Sequence, residues 1–248
     1  MKGIEFGEQI GRSWLTCQYG GRQVDFAFPP VQGTHVDAYT KINSDPEIAP
    51  AEGFDLALLA NGAYSAKTKS WANVRDDAFV RNYVRVPIRV LWMPKKDSLG
   101  EENGLAGVII ERDLQGRGLS TKMNVPDVSG WKNENGIYVN ADRSVIYVPQ
   151  GQYRLGDHDT RSFEKDGFAR AVLTDEGAEI YAKTAVDNRK IPRLWGINIS
   201  EIQNPEQRVP LLGEYDDRLD LDGGSRGNDR GGCAFGVRRD AAPNAAQK

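Results

Sequence analysis

Cys17 and His158 are the side chains whose types could support nucleophilic chemistry. An imidazole beside a thiol lowers the thiol pKa and takes its proton, and an acid or amide must then fix the ring. Asp157 and Asp159 flank His158, but adjacent residues of an extended chain point in different directions, so neither is placed on the ring. The plainer alternative is a small buried cysteine and a surface histidine. The remaining histidine, His35, would be needed for a zinc centre together with His158, or one of them with Cys17, Cys233 and carboxylates; no close ligand spacing announces one.

Two further groups of residues could bind ligands. Asp216, Asp217, Asp220, Asp222, Asn228 and Asp229 lie within a glycine-rich stretch. Calcium needs several hard oxygen ligands, and Asp220, Asp222 and Asp229 are the candidate set. The alternative is a solvated acidic turn neutralised by Arg218, Arg226 and Arg230. Arg81, Tyr83, Arg85 and Arg89 form a second candidate, a basic ligand platform for phosphate or carboxylate. The four-residue spacing of its arginines predicts that they share a strand face. An ion-paired or solvated sheet face is the alternative, and without interleaved aromatics the platform does not suggest RNA.

Two family resemblances attach to these residues. The separation of Cys17 from His158 resembles that of papain-like cysteine proteases, which implies a hydrolase with Cys17 as nucleophile and His158 as base. The surrounding SWLTCQY departs from the Cys-Gly-Ser/Ala-Cys-Trp context of that family. The GGSRGND segment resembles the glycine–aspartate repeats of calcium-binding parallel β-rolls, although Arg226 adds a position and no second repeat follows. Phosphate-loop, dinucleotide, serine-elbow and HExxH signatures are absent from the sequence.

The elements that must position these groups are organised around residues 82–94. Val84, Val86, Ile88, Val90 and Trp92 alternate with Arg85, Pro87 and Arg89, which predicts a strand with one buried face and an edge position or bulge at Pro87. A hairpin is expected over 13–28 around Gly20-Gly21, and a brief resumption of regular structure at 35–39. Ser44-Asp45-Pro46-Glu47 reads as a capping box opening a short helix. The apolar run at 54–60 fits helix or strand. Trp71, Val74 and Ala78 fit a short helix capped by Asn73. Strands are expected at 105–114, 137–140 and 145–148, with a long loop at 121–135 anchored by Trp131.

Thr174 should cap a helix over 174–189 whose buried stripe is Ala178, Tyr181, Ala182 and Ala185. Trp195, Ile197 and Ile199 then return the chain to a sheet. From Tyr215 the Gly/Asp/Arg content suggests an irregular loop, with one short strand at 233–237. The fold class expected is α+β: a β-rich globular fold with a mixed or antiparallel sheet, long loops and at least one packed helix. The expected division is a main domain at 1–214 and a segment at 215–248 packed against it or extending from it.

The formal net charge of -3 provides no general attraction to nucleic acid or anionic lipid. No window supplies the roughly 20 apolar residues that span a bilayer, and the start, MKGIEFGEQIGRSW, is unlike a signal peptide. Two buried thiols in a reducing compartment suit a cytoplasmic protein. The leading expectation is a protein-interaction or structural module, with a protein partner or self-association and no cofactor other than the candidate calcium. The alternatives are a cysteine-dependent or metal-assisted hydrolase, and a carbohydrate or small-anion binding domain.

Overall fold

The computed structural model describes residues 5–9, 13–96, 100–228 and 231–238. The chain opens with an antiparallel meander of β1 (Glu5–Gln9), β2 (Ser13–Tyr19) and β3 (Arg22–Phe28). The expected hairpin turns at Gly20 and Gly21, whose φ of 60° and 85° fit the left-handed pair of a two-residue turn. After β4 (Val31–Gln32) comes α1 (His35–Ser44), capped by Thr34, whose hydroxyl accepts the Asp37 N–H. Ser44-Asp45-Pro46-Glu47 therefore closes a helix instead of opening one. Ala38, Tyr39 and Ile42 had already set its buried stripe, and the Asp45 carboxylate accepts the Glu47 N–H in the exit turn.

β5 (Ile48–Pro50) leads to α2 (Gly53–Ser65), which resolves the run at 54–60 as helix. Asn61-Gly62 lies inside α2 and does not end it. Gly62 is required there by close approach, because a Cβ would sit 2.4 Å from the Trp71 ring. α3 (Lys69–Asn73) is capped by Thr68, not Asn73, and continues into a π-helical turn, Val74–Val80.

The organising stretch is divided at Pro87 into β6 (Tyr83–Arg85) and β7 (Ile88–Met93). Its expected apolar row is buried: Val84, Val86, Val90 and Trp92 are at 0% exposure. β8 (Gly107–Arg112) continues the sheet, and Trp131 packs the following long loop against Leu91, Met93 and Met123. β9 (Lys132–Glu134), β10 (Ile137–Val139) and β11 (Val145–Pro149) form a second meander, including the hairpin expected around 141–144.

β12 (Gly156–Asp157) precedes three helices, α4 (Thr160–Lys165), α5 (Gly167–Leu173) and α6 (Asp175–Asp187). Thr174 caps α6 as expected, and Ala178, Tyr181, Ala182 and Ala185 are all fully buried. The chain ends its described course with β13 (Ile191–Trp195), β14 (Glu206–Tyr215), β15 (Arg218–Ser225), β16 (Gly232–Ala234) and β17 (Gly236–Arg238).

The strands make two sheets, one ordered β1-β2-β3-β17-β5 and a twelve-stranded one running β12-β13-β15-β14-β7-β8-β11-β10-β9, with β6, β16 and β4 branching from it. Pairing is antiparallel except for β13 with β15 and β16 with β6. The fold is therefore α+β and β-rich, with one antiparallel and one mixed sheet. β14 changes register between Val209 and Leu211, where it passes from β7 to β6. That irregularity accommodates the break at Pro87, which sits in the interior of the sheet.

The stretch after Tyr215 departs most from its sequence reading. It turns at Asp216 and Asp217 and returns as β15, paired on both sides, to β14 and to β13. Its strand pattern was masked by composition: Leu219 and Leu221 are buried, alternating with Arg218, Asp220 and Asp222. Both cysteines are free and buried. No helix among the described residues is long and apolar enough to cross a membrane.

Candidate ligand-binding face

Alternation along three strands builds the site. Leu194 on β13, Leu219 and Leu221 on β15 and Leu212 on β14 join the main core, where Tyr181 of α6 donates its hydroxyl to the Asp220 carbonyl at 2.8 Å. The period of two sends Arg193, Trp195, Arg218, Asp220, Asp222 and Tyr215 to the other face. Strand register sets Arg193 opposite Asp220, Trp195 opposite Asp222 and Tyr215 opposite Arg218.

Arg193 is fixed by a two-pronged ion pair: its Nε donates to Asp220 Oδ1 at 2.7 Å and its Nη2 to Oδ2 at 2.5 Å. Its guanidinium carbon lies 5.4 Å from the Trp195 ring centre and 5.8 Å from that of Tyr215. These rings are nevertheless 54% and 64% exposed. Burial pushes the Asp220 carboxyl pKa up and Arg193 pulls it back, while the same pair raises that of Arg193. Both short bonds are those of a guanidinium fork on a carboxylate, so the pair is ionised.

At one end of this face Arg218 reaches both carboxylate oxygens of Asp157, at 2.9 and 3.2 Å, and Asp217 at 2.8 Å. At the other end Asp222 accepts the Gly224 N–H on Oδ1 at 2.6 Å, and Oδ2 accepts no hydrogen bond among the described residues. Burial raises the pKa of Asp222, and the nearby Asp220 charge adds to the rise. The face thus offers two exposed rings held around a fixed cation, together with a carboxylate oxygen free to accept.

The residues singled out from sequence lie elsewhere, apart from Asp220 and Asp222. Cys17 sits in the core with its thiol on the Leu58 carbonyl at 3.6 Å, and burial raises its pKa far above the range of a reactive thiol. His158 is directed to the Arg154 carbonyl at 2.8 Å and packs on Phe163. No hydrogen bond or ring contact joins Cys17 to His158. Asp220 is taken up by Arg193, and Asp229 lies outside the described residues. Among the described residues no group of three His, Cys, Asp or Glu is gathered to hold a metal.

The four residues of the basic platform do not form one solvated row. Arg81 ends the π-helical turn and pairs with Asp77 at 2.9 Å. Tyr83 is half-buried beneath the Arg85 guanidinium, 5.2 Å from its ring centre. Arg85 and Arg89 do face away from the apolar row, yet they are only 1% and 2% exposed. Loops cover them: Arg85 donates to the Gly33 carbonyl at 3.0 Å, and Arg89 to Glu111 at 2.8 Å and to Thr121.

Beside them His35 meets Asp113 at 3.2 Å with both side chains buried. Burial, reinforced by Arg85 and Arg89, lowers the His35 pKa despite Asp113. Burial alone would raise that of Asp113, but His35 and the Gly118 and Arg117 N–H groups hold it at about 2. The native state therefore resists protonation at both positions. Unfolding midpoints should fall as pH drops below about 6.5, where the unfolded histidine begins to charge, and fall again from about 3.8 toward about 2 as Asp113 protonates. In urea titrations His35→Gln should flatten the upper part of this slope. An unchanged slope would exclude His35 as its source.

A cleft of about 620 Å³ lies between the start of α2, the α5–α6 junction and the β10–β11 hairpin. Its rim charges are largely spent on one another through Arg112–Glu52, Arg143–Glu134 and Arg170–Asp175 pairs. It therefore presents less unmet binding capacity than the Trp195 face. The sequence grouped Trp195 with Ile197 and Ile199 as one alternating strand, but β13 ends at Trp195 and Ile197 and Ile199 lie beyond it. The usable signal was its two-residue spacing from Arg193, between the buried Pro192 and Leu194.

The fold and the face together define an α+β domain with an aromatic–arginine surface on an open sheet face. No described protein family matches the chain, and no curated protein does. A solved structure described as accommodation of massive sequence variation in Nanoarchaeota by the C-type lectin fold is similar at a TM-score of 0.44 and 13% identity, over 84% of this chain and 94% of that one.

Proposed function

We propose that this protein is a protein-binding module and that its partner docks on the face of β13, β14 and β15. The observation that supports this reading is the pair of exposed rings, Trp195 and Tyr215, on either side of a guanidinium locked by Asp220. Leaving large rings in water forfeits hydrophobic free energy, and a docked partner recovers it. Trp, Tyr and Arg are also the side chains that most often dominate binding energy at protein interfaces. Paired β-strands and a two-pronged ion pair hold the groups in place before contact, which reduces the entropy lost on association.

Chemical cross-linking in native extract, followed by purification and identification of the partner, tests the proposal. Trp195→Ala and Tyr215→Ala should each weaken the purified complex by about 2 kcal/mol or more, roughly thirty-fold in Kd. Both rings lie outside the core, so thermal unfolding of the variants should match the parent. A partner held equally well by the folded double variant would remove this face from the interface.

A further inference from the structure

The charge on the same face suggests what kind of partner segment it fits. Arg193 is occupied by Asp220, and Arg218 by Asp157 and Asp217. Arg154 reaches the same edge but donates to the Asp157 carbonyl at 2.6 Å. Lys190 comes within 3.5 Å of the Asp216 carbonyl, while its ion pair is with Glu214 at 2.5 Å. Two carboxylates remain without a cation bonded to them. Asp216 is exposed at the tip of the β14–β15 turn beside Tyr215, and Asp222 lies opposite Trp195. Each exposed ring therefore has next to it an acid that makes no direct ion pair, although Arg193 lies near Asp222 and Arg218 near Asp216.

An exposed indole or phenol face attracts a cation, and the attraction grows as water is displaced. Arg193 already makes this contact on one side of both rings. An acid beside the ring adds a charge-assisted hydrogen bond for a second cation. An acidic partner would instead bring its carboxylates against Asp216 and Asp222, where repulsion opposes docking. A purely apolar partner would cover Asp222 and strand its Oδ2 without a donor.

We infer that the segment docking here is basic, with one Lys or Arg side chain lying over Trp195 and donating to Asp222, and a second reaching Tyr215 and Asp216. This inference rests on the docking role proposed for the face. It excludes acidic and uncharged segments as the preferred occupants. Asp216 lies in the turn before β15 and Asp222 within the strand, so the basic side chains must be several residues apart in an extended segment.

Titration of the full chain with hexa-arginine and with hexaglutamate, read by tryptophan emission, tests it. Trp195 is the reporter in a Trp131→Phe background, since Trp71 and Trp92 are fully buried, Trp14 is 7% exposed and the half-buried Trp131 would otherwise contribute. Hexa-arginine should give a saturable change that weakens as salt rises from about 0.05 to 0.3 M. Asp222→Asn and Asp216→Asn should each weaken it about five- to ten-fold. Asp77→Asn, which alters an exposed acid on the π-helical turn, should leave it unchanged. Absent hexa-arginine binding, equal binding of hexaglutamate, or equal losses in the Asp77 control would overturn the inference. The captured partner separates the two proposals: dependence on Trp195 and Tyr215 with indifference to Asp222→Asn, Asp216→Asn and salt would retain the docking role and reject the basic segment.

Discussion

Trp92→Ala should destabilise the protein by about 3–5 kcal/mol, the range for emptying a fully buried aromatic site. Trp92 is at 0% exposure, stacks on Phe168 with ring centres 5.5 Å apart, and meets Tyr153 edge-on at 5.7 Å. Its Nε1 donates to the Gly223 carbonyl at 2.8 Å. Gly196 and Gly223 are shaped around it: a Cβ on Gly196 would lie 2.5 Å from the indole, and one on Gly223 3.0 Å from it. Deletion therefore leaves both a cavity and an unpaired carbonyl. Trp92→Phe should cost less, because it retains most of the ring packing while losing the hydrogen bond. Denaturant unfolding reads both effects; a loss below about 1 kcal/mol for Trp92→Ala would contradict a core centred on this strand.

Tyr181→Ala should cost about 3 kcal/mol, against less than about 0.5 kcal/mol for Lys183→Ala on the same helix. Tyr181 is wholly buried, stacks on Phe163 at 5.8 Å and donates to the Asp220 carbonyl. Lys183 makes a surface pair with Asp187, four residues along α6, at 2.6 Å. Tyr181→Phe isolates the hydroxyl and should lose about 1 kcal/mol. Since Tyr181 supports β15 from beneath the candidate face, Tyr181→Ala should also weaken partner binding. Equal, negligible changes in stability from Tyr181→Ala and Lys183→Ala would contradict the packing of α6 against β15.

Where one physical requirement governed a segment, its structure was legible in the sequence. The alternation from Val84 to Trp92, the Gly20-Gly21 turn and the stripe on α6 each follow from a single periodicity or backbone need. Segments answering to two requirements were misread. Asn61-Gly62 looks like a stop signal, but Gly62 is there to admit the Trp71 ring within a helix. The Asp/Gly-rich stretch after Tyr215 looks like a loop, although Leu219 and Leu221 supply the buried face of a strand. Its polar residues Arg218, Asp220 and Asp222 occupy the opposite face of the strand, and their number obscured the alternation.

The candidate face was harder to read because it exists only across strands. Arg193 meets Asp220 through a parallel pairing, and Tyr215 reaches the same guanidinium from beyond β15. No linear spacing encodes those contacts. Arg85 and Arg89 show the converse: their spacing on opposite sides of Pro87 is visible, but the covering loops that bury them are contributed by distant sequence. Cys17 likewise has the chemistry of a nucleophile by type and the environment of a core residue by position.

Amide hydrogen exchange of the complex with its purified protein partner tests the docking face most directly. Binding should slow exchange along residues 191–195 and 214–222, and Trp195→Ala should abolish that protection at the same partner concentration, while α2 and the meander of β1 to β3 remain unchanged. Protection confined to the cleft at the start of α2, with residues 191–195 and 214–222 exchanging as they do in the free protein, would contradict it.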